Sequence, residues 1–178
     1  MRNLTRASLA ILAIMLDIAG AHAGAPPRQL YGKGVRIEYT AETIVAGEQG
    51  TRNVVSQISR TIYVSSEGRL FERVIWSNRE GTRVSDNTPG ASTNKGGEAR
   101  GMTFRGDILV AHVGYASGAG QMTVRFDPSF SSCQGEVVYG TEKGQTMSRR
   151  GVSGKMRQIL STNASNFRCS VTAGNPFP

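Results

Sequence analysis

The sequence has few of the residues on which most catalytic and metal sites depend. Only two histidines occur in 178 residues, His22 near the start and His112 within an apolar run. Since we expect His22 to be removed with a signal peptide, His112 alone would remain, and this excludes histidine-rich metal sites. A lone histidine in an apolar strand is typical of a packed, hydrogen-bonded residue rather than of a catalytic base.

Sequence motifs for catalysis and nucleotide binding are also missing. No G-x-x-x-x-G-K-[ST] phosphate loop occurs, and Ser117 lies one position away from where a G-x-S-x-G elbow would place it. The carboxylates of Asp107, Asp127 and Glu136 suit a histidine-independent hydrolase, but sequence spacing does not bring two of them to a catalytic separation. We therefore predict no catalytic residue, no cofactor and no metal ligand. We favour a non-enzymatic protein, with such a hydrolase as the least favoured alternative.

Long apolar stretches are absent after the first 23 residues, and the first such stretch is short. Two arginines precede an apolar run at residues 7–16, and Ala21 and Ala23 are the small residues that a signal peptidase recognises. The run has about half of the roughly 20 residues needed to span a bilayer. We predict a cleaved signal peptide at residues 1–23, a periplasmic or secreted location, and no transmembrane segment in the mature chain.

The two cysteines, Cys133 and Cys169, both follow the predicted cleavage site. In an exported protein such a pair is more often joined than free. No C-x-x-C motif occurs, and no histidine lies near the cysteines in the sequence, so a redox or zinc site is not indicated. We predict a structural disulfide, and two buried free thiols are the alternative.

Helical periodicity is missing from the predicted mature chain, whereas alternation with a period of two recurs throughout. Met122, Val124 and Phe126 alternate with polar residues, as in a half-buried strand. Asp127 and Pro128 then end the pairing, because proline has no N–H to donate. Similar runs predict strands at residues 35–40, 58–64, 70–76, 101–104, 108–115, 122–126, 136–139, 156–160 and 167–172.

These short strands and 22 glycines predict an all-β fold. We expect a single antiparallel β-sandwich or a curled barrel of about eight short strands, since the sequence does not distinguish the two. Residues 65–68 predict a hairpin turn between strands 58–64 and 70–76, with a glycine for positive φ. Residues 155–160 are equally compatible with one or two helical turns.

The chain divides into a signal peptide at residues 1–23, an extended linker at 24–32 and a single β domain at 33–178. A polar stretch at residues 81–101, with Val84 as its only large aliphatic side chain, is longer than an ordinary connection. We favour a disordered loop there over a functional one.

The chain is strongly basic, with 21 lysines and arginines against 13 acidic residues. Residues 143–157 contain no acidic residue, and their cations form a candidate anion-binding surface: Lys143, Arg149, Arg150, Lys155 and Arg157. The alternative, which we favour, is a solvated loop. No aromatic side chain lies among these cations, so we expect no specific nucleic-acid binding. An anionic component of the cell envelope is the candidate partner.

Three strings resemble stretches in small uncharacterised exported proteins of soil bacteria. They are IYVSSEGRLF at residues 62–71, FDPSFSSC at 126–133 and CSV at 169–171. The resemblance covers most of the mature chain and implies a bacterial exported protein with a recurring cysteine pair, in a family without an established activity. We expect a binding or interaction domain, and a structural or accessory envelope protein without a small ligand is the alternative.

Overall fold

A computed structural model describes residues 24–48, 50–88, 101–113, 120–139, 147–150 and 156–177. Within these residues no helix is long and apolar enough to cross a membrane. The predicted signal peptide, residues 1–23, lies outside them and stays a prediction. The described strands are β1 (Lys33–Gly47), β2 (Gly50–Val64), β3 (Leu70–Asn78), β4 (Gly81–Asp86), β5 (Met102–Arg105), β6 (Ile108–His112), β7 (Gly120–Phe126), β8 (Cys133–Tyr139), β9 (Met147–Arg150) and β10 (Met156–Ala173).

The described strands form two antiparallel sheets that pack against each other as a sandwich. The larger sheet has six strands in the order β4-β3-β2-β1-β10-β9, and the smaller has four in the order β5-β6-β7-β8. Alternate side chains of both sheets form one core between them, which includes Ile37, Ile62, Leu109, Met122 and Val124. The all-β prediction is confirmed, and of the two architectures left open the sandwich is the one observed.

Three strands are much longer than the eight short ones expected from the sequence. β1 and β2 each have 15 residues, and β10 has 18. β1 lies between β2 and β10 and pairs with both along nearly its whole length. The apolar alternation breaks where polar residues take core-side positions, at Thr43 of β1 and at Arg52 and Ser56 of β2, so it does not mark the full length of these strands.

The polar stretch at residues 81–101 begins with strand β4, so the expected long loop is wrong for Gly81–Asp86. β4 pairs antiparallel with the second half of β3. Its first five residues are exposed, which suits an edge strand, where polar side chains are tolerated. Residues 89–100, for which we predicted disorder, lie outside the described residues.

Residues 24–32, expected as an extended linker, belong to the folded domain. Arg28–Leu30 form one 3-10 turn, and the side chain of Leu30 is fully buried in the core. The N–H of Gly24 donates to the carbonyl oxygen of Phe104 at 3.1 Å. Burying a leucine side chain stabilises by roughly 2 kcal/mol, and this holds the segment against the core although the backbone of Pro27 stays extended.

Two further expectations concern residues 156–160 and the hairpin of residues 58–64 and 70–76. Residues 156–160 are strand rather than helix, because β9 and β1 both supply hydrogen-bonding partners for that part of β10. The predicted hairpin of residues 58–64 and 70–76 is confirmed by the pairing of β2 with β3. Gly68 in its turn has a φ of +80° and lies against Tyr31, whose hydroxyl would collide with an added Cβ.

The predicted disulfide is present and joins the two sheets at one edge. Cys133 in β8 and Cys169 in β10 are bonded, with their Cα atoms 5.5 Å apart, and both side chains pack against the core. At the other end of β8 the hydroxyl group of Tyr139 is hydrogen-bonded to that of Tyr39 in β1 at 3.2 Å. A disulfide is typical of proteins in an oxidising compartment.

Candidate functional site

The five cations of the candidate anion-binding surface are described only in part. Lys143 and Lys155 lie outside the described residues. Arg149 and Arg150 lie in β9, and Arg149 pairs directly with Arg157 of β10. These three arginines are therefore strand residues at the end of the six-stranded sheet, and a solvated loop is wrong for their backbone. That they bind anions stays a prediction.

Exposed apolar side chains lie at the same end of this sheet. Ile44, Val55 and Leu160 are 42%, 47% and 41% exposed, and we call them the distal patch. Strand register makes Ile44 and Val55 diagonal neighbours on the outer face, which is the face turned away from the core. Leu160 is the extra residue of a bulge in β10 beside Ile44. Apolar exposure gathered in one place is more informative than the same residues scattered singly.

The outer face of the six-stranded sheet also carries an open groove of about 530 Å³. The groove crosses β3, β2, β1 and β10, between the distal patch and the opposite end of the sheet. Its outer-face lining consists mainly of hydroxyl, amide and charged side chains. These residues are Glu38, Thr40, Gln57, Ser59, Ile75, Ser77, Asn166 and Arg168.

Hydrogen bonds join two amide side chains of the groove through a threonine. Asn166 Nδ2 donates to Thr40 Oγ1 at 3.5 Å, and Thr40 Oγ1 donates to Gln57 Oε1 at 3.2 Å. We call this series the amide chain. Thr40 is only 7% exposed, so the chain lies in the floor of the groove. Asn166 has a φ of +55° at a bulge in β10, a conformation that asparagine tolerates better than most residues.

Both signs of charge are present at one end of the groove. Glu38 of β1 and Arg168 of β10 are directly paired residues. Arg36 Nη2 also lies 2.6 Å from Glu38 Oε1. The groove therefore suits a ligand with donors and acceptors better than one of a single charge.

Residues 174–177 lie on the same outer face, beyond the end of the groove. Pro176 lies against Gly34, where an added Cβ would be 2.9 Å from the Cγ atom of the proline. Phe177 is buried, and the guanidinium carbon of Arg73 is 5.1 Å from the centre of its ring. One end of this face is thus already covered by a short segment of the chain itself.

A buried ion pair lies on the core side of the six-stranded sheet. Arg60 Nε is 2.8 Å from Glu72 Oε1, and the two residues are 7% and 8% exposed. Arg60 Nη2 donates to the carbonyl oxygen of His112 at 3.1 Å, which ties β2 to the end of β6. Glu72 Oε1 and Arg60 Nη1 have no well-aligned hydrogen-bond partner in the described part of the chain.

The burial of this ion pair changes the pKa of Glu72. Burial raises the pKa of Glu72, and the charge of Arg60 offsets only part of this effect. Sequence reasoning missed both residues. Each occupies a core position in the alternation of its strand, where the pattern predicts an apolar residue.

The side chain of His112 is exposed, so the expectation of a packed histidine is wrong. Leu109 and Ala111 take the core positions of β6, and alternation therefore turns His112 outward. In the part of the chain that the structure describes, no group of three or more His, Cys, Asp or Glu residues is placed to hold a metal ion.

The carboxylate of Asp127 holds a loop together. It accepts hydrogen bonds from the N–H groups of Ser131 at 2.7 Å and Ser132 at 2.6 Å. Hydrogen bonds from the hydroxyl of Ser129 and from the Ser132 N–H hold the pKa of Asp127 well below its usual range. The group is thus an ionised loop acceptor with several donors already bound.

The chain matches no protein-family model, no curated protein and no solved structure. The resemblance to exported proteins of soil bacteria therefore stays a prediction. Function has to be argued from the outer face of the six-stranded sheet, which carries the distal patch and the groove, and from the β9 arginines at the same end of that sheet.

Proposed function

We propose that the chain is an exported, non-enzymatic interaction domain that docks on an anionic lipid surface of the cell envelope. The observation that carries the proposal is the position of the distal patch beside the arginine-bearing strands β9 and β10. Apolar side chains next to cations are the combination with which proteins bind the interface of anionic membranes.

The expected strength follows from the number of cations. Each arginine close to an anionic surface contributes roughly 1 kcal/mol, so Arg149, Arg150 and Arg157 together would supply at most about 3 kcal/mol. Insertion of the distal patch adds the transfer of apolar area from water, at about 25 cal/mol per Å². This sum favours a reversible, salt-dependent association rather than a permanent anchor.

A structural or accessory envelope protein without a small ligand is the second candidate. The packing of the core supports this second candidate. Buried side chains of the two sheets contact each other between the sheets, and the groove lies on the outer face instead. A small apolar ligand would be expected inside such a sandwich rather than on that face. An accessory protein of this kind would not bind lipid vesicles.

The test is co-sedimentation of the full mature chain with phosphatidylglycerol vesicles and with phosphatidylcholine vesicles. We expect binding to the anionic vesicles only, and weaker binding when the salt is raised to about 0.15 M, where the Debye length is about 8 Å. The double variant Arg149→Glu with Arg150→Glu should weaken binding by more than roughly tenfold, because it replaces two attractive charges by repulsive ones.

A control with the same change in net charge is available on the outer face of the smaller sheet. Arg105→Glu with Arg125→Glu alters that face and should leave vesicle binding near the wild-type level. Ile44→Ser should weaken binding at low and high salt alike, since it removes apolar contact only. An equal loss in both arginine double variants would mean that net charge, rather than this end of the sheet, drives binding. No binding by the wild type at low salt would favour the accessory protein.

A further inference from the structure

The floor of the groove presents two amide groups whose orientation is set by the amide chain. Within the amide chain Asn166 donates through Nδ2 and Gln57 accepts through Oε1, so Asn166 Oδ1 and Gln57 Nε2 remain for a ligand. The floor therefore offers an acceptor on the β10 side and a donor on the β2 side. Since β1 lies between β10 and β2, the backbone positions of Asn166 and Gln57 are roughly 10 Å apart.

The lining contains the groups that a polypeptide backbone can use. Each peptide unit has one N–H donor and one C=O acceptor, and a side-chain amide carries the same pair. The hydroxyl group of Ser59 adds a further donor and acceptor, and that of Ser77, which is bonded to the Thr82 hydroxyl at 3.0 Å, keeps acceptor capacity. Flat ring ligands are normally stacked on aromatic side chains. Tyr39, the tyrosine beneath this groove, does not offer such a surface, because its side chain points between the sheets, where its hydroxyl is bonded to Tyr139.

Residues 174–177 show that this face accepts a short polypeptide segment. Pro176 rests directly on the backbone at Gly34, where no side chain intervenes, and Phe177 is 7% exposed beside Arg73. This segment lies at one end of the same strands β1 and β3 that form the groove. The groove continues that covered area toward the middle of the sheet.

We propose that the groove binds an extended polypeptide segment of a partner protein, with the amides of Gln57 and Asn166 bonded to its backbone. Glu38 and Arg168 then select a segment of mixed or neutral charge, because a run of one charge would meet a like charge at this end. The site is separate from the distal patch and does not depend on lipid binding.

The test is selection from a phage-displayed library of random heptapeptides on the full mature chain, followed by calorimetry with synthetic copies of the selected peptides. Gln57→Ala with Asn166→Gly should weaken their affinity by roughly tenfold, since two backbone hydrogen bonds are lost. Glycine at residue 166 keeps the positive φ. Gln57→Ala alone, at an exposed position without special backbone geometry, should give a smaller loss in the same direction.

Two control variants show whether the peptides bind in the groove or elsewhere on the surface. Gln121→Ala with Gln134→Ala removes two exposed amides from the outer face of the smaller sheet and should leave peptide affinity unchanged. Arg149→Glu with Arg150→Glu should also leave it unchanged, although the same variant should weaken vesicle binding. The proposal is overturned if no peptide binds with a Kd below about 1 mM, or if the groove variants bind as tightly as wild type. Binding of maltohexaose that depends on Gln57, without peptide binding, would overturn it in favour of a saccharide site.

Discussion

Replacement of Arg60 by methionine tests what the buried ion pair does in the core. Arg60→Met keeps an unbranched apolar stem but removes the charge 2.8 Å from Glu72 and the donor 3.1 Å from the His112 carbonyl. Loss of one partner of a buried pair costs about 3–5 kcal/mol, and this range includes the penalty of leaving the other charge buried. The orphaned carbonyl adds about 1 kcal/mol. We expect the free energy of unfolding to fall by about 4–6 kcal/mol at pH 7.

The pH dependence of this loss follows from Glu72. Burial raises the folded-state pKa of Glu72, so its contribution to stability is complete below the unfolded-state pKa and is lost as the pH rises through the folded-state value. In Arg60→Met the favourable charge is gone, and the pKa of Glu72 should rise further. The carboxyl group can then become neutral as the pH is lowered. The destabilisation should therefore be smaller at pH 5 than at pH 7.

The assay is urea unfolding at both pH values, followed by the fluorescence of Trp76, the single tryptophan, which packs against the core. A companion variant, Arg60→Met with Glu72→Leu, removes both charges and should recover most of the lost stability, since apolar replacement of a buried pair is often neutral or stabilising. An equal loss at both pH values would refute the reasoning that an uncompensated charge on Glu72 is the cause. So would a double variant as unstable as Arg60→Met.

Two predictions concern maturation and the disulfide. Replacing Cys133 and Cys169 by serine should lower the free energy of unfolding by about 3–4 kcal/mol, since the bond restricts the unfolded chain; two free thiols in non-reducing peptide maps of the wild type would contradict this. Intact-mass measurement of protein taken from the cell envelope should find a chain that begins at Gly24. A product that is exported with residues 1–23 still attached would show that the signal-peptide assignment is wrong.

Strands that bury one face could be predicted, and strands with little to bury could not. The alternation of Met122, Val124 and Phe126 marks β7 correctly, because these side chains fill the core. β4 has no such pattern, since its exposed edge position needs no apolar side chains. Arg60 and Glu72 were missed for the opposite reason: they occupy core positions that the pattern assigns to apolar residues.

By itself the sequence determined the properties that are local or compositional. With two cysteines only one intramolecular pair can form, and period-two alternation with many glycines is enough to indicate an all-β chain. Apart from the β2–β3 hairpin, which the turn at residues 65–68 indicates, only the tertiary structure decided which strands are neighbours, because alternation shows which side chains are buried but carries no information on partners. That pairing brings Asn166 to Thr40, 126 positions away, and places Leu160 beside Ile44. The groove and the distal patch exist through those long-range pairings alone.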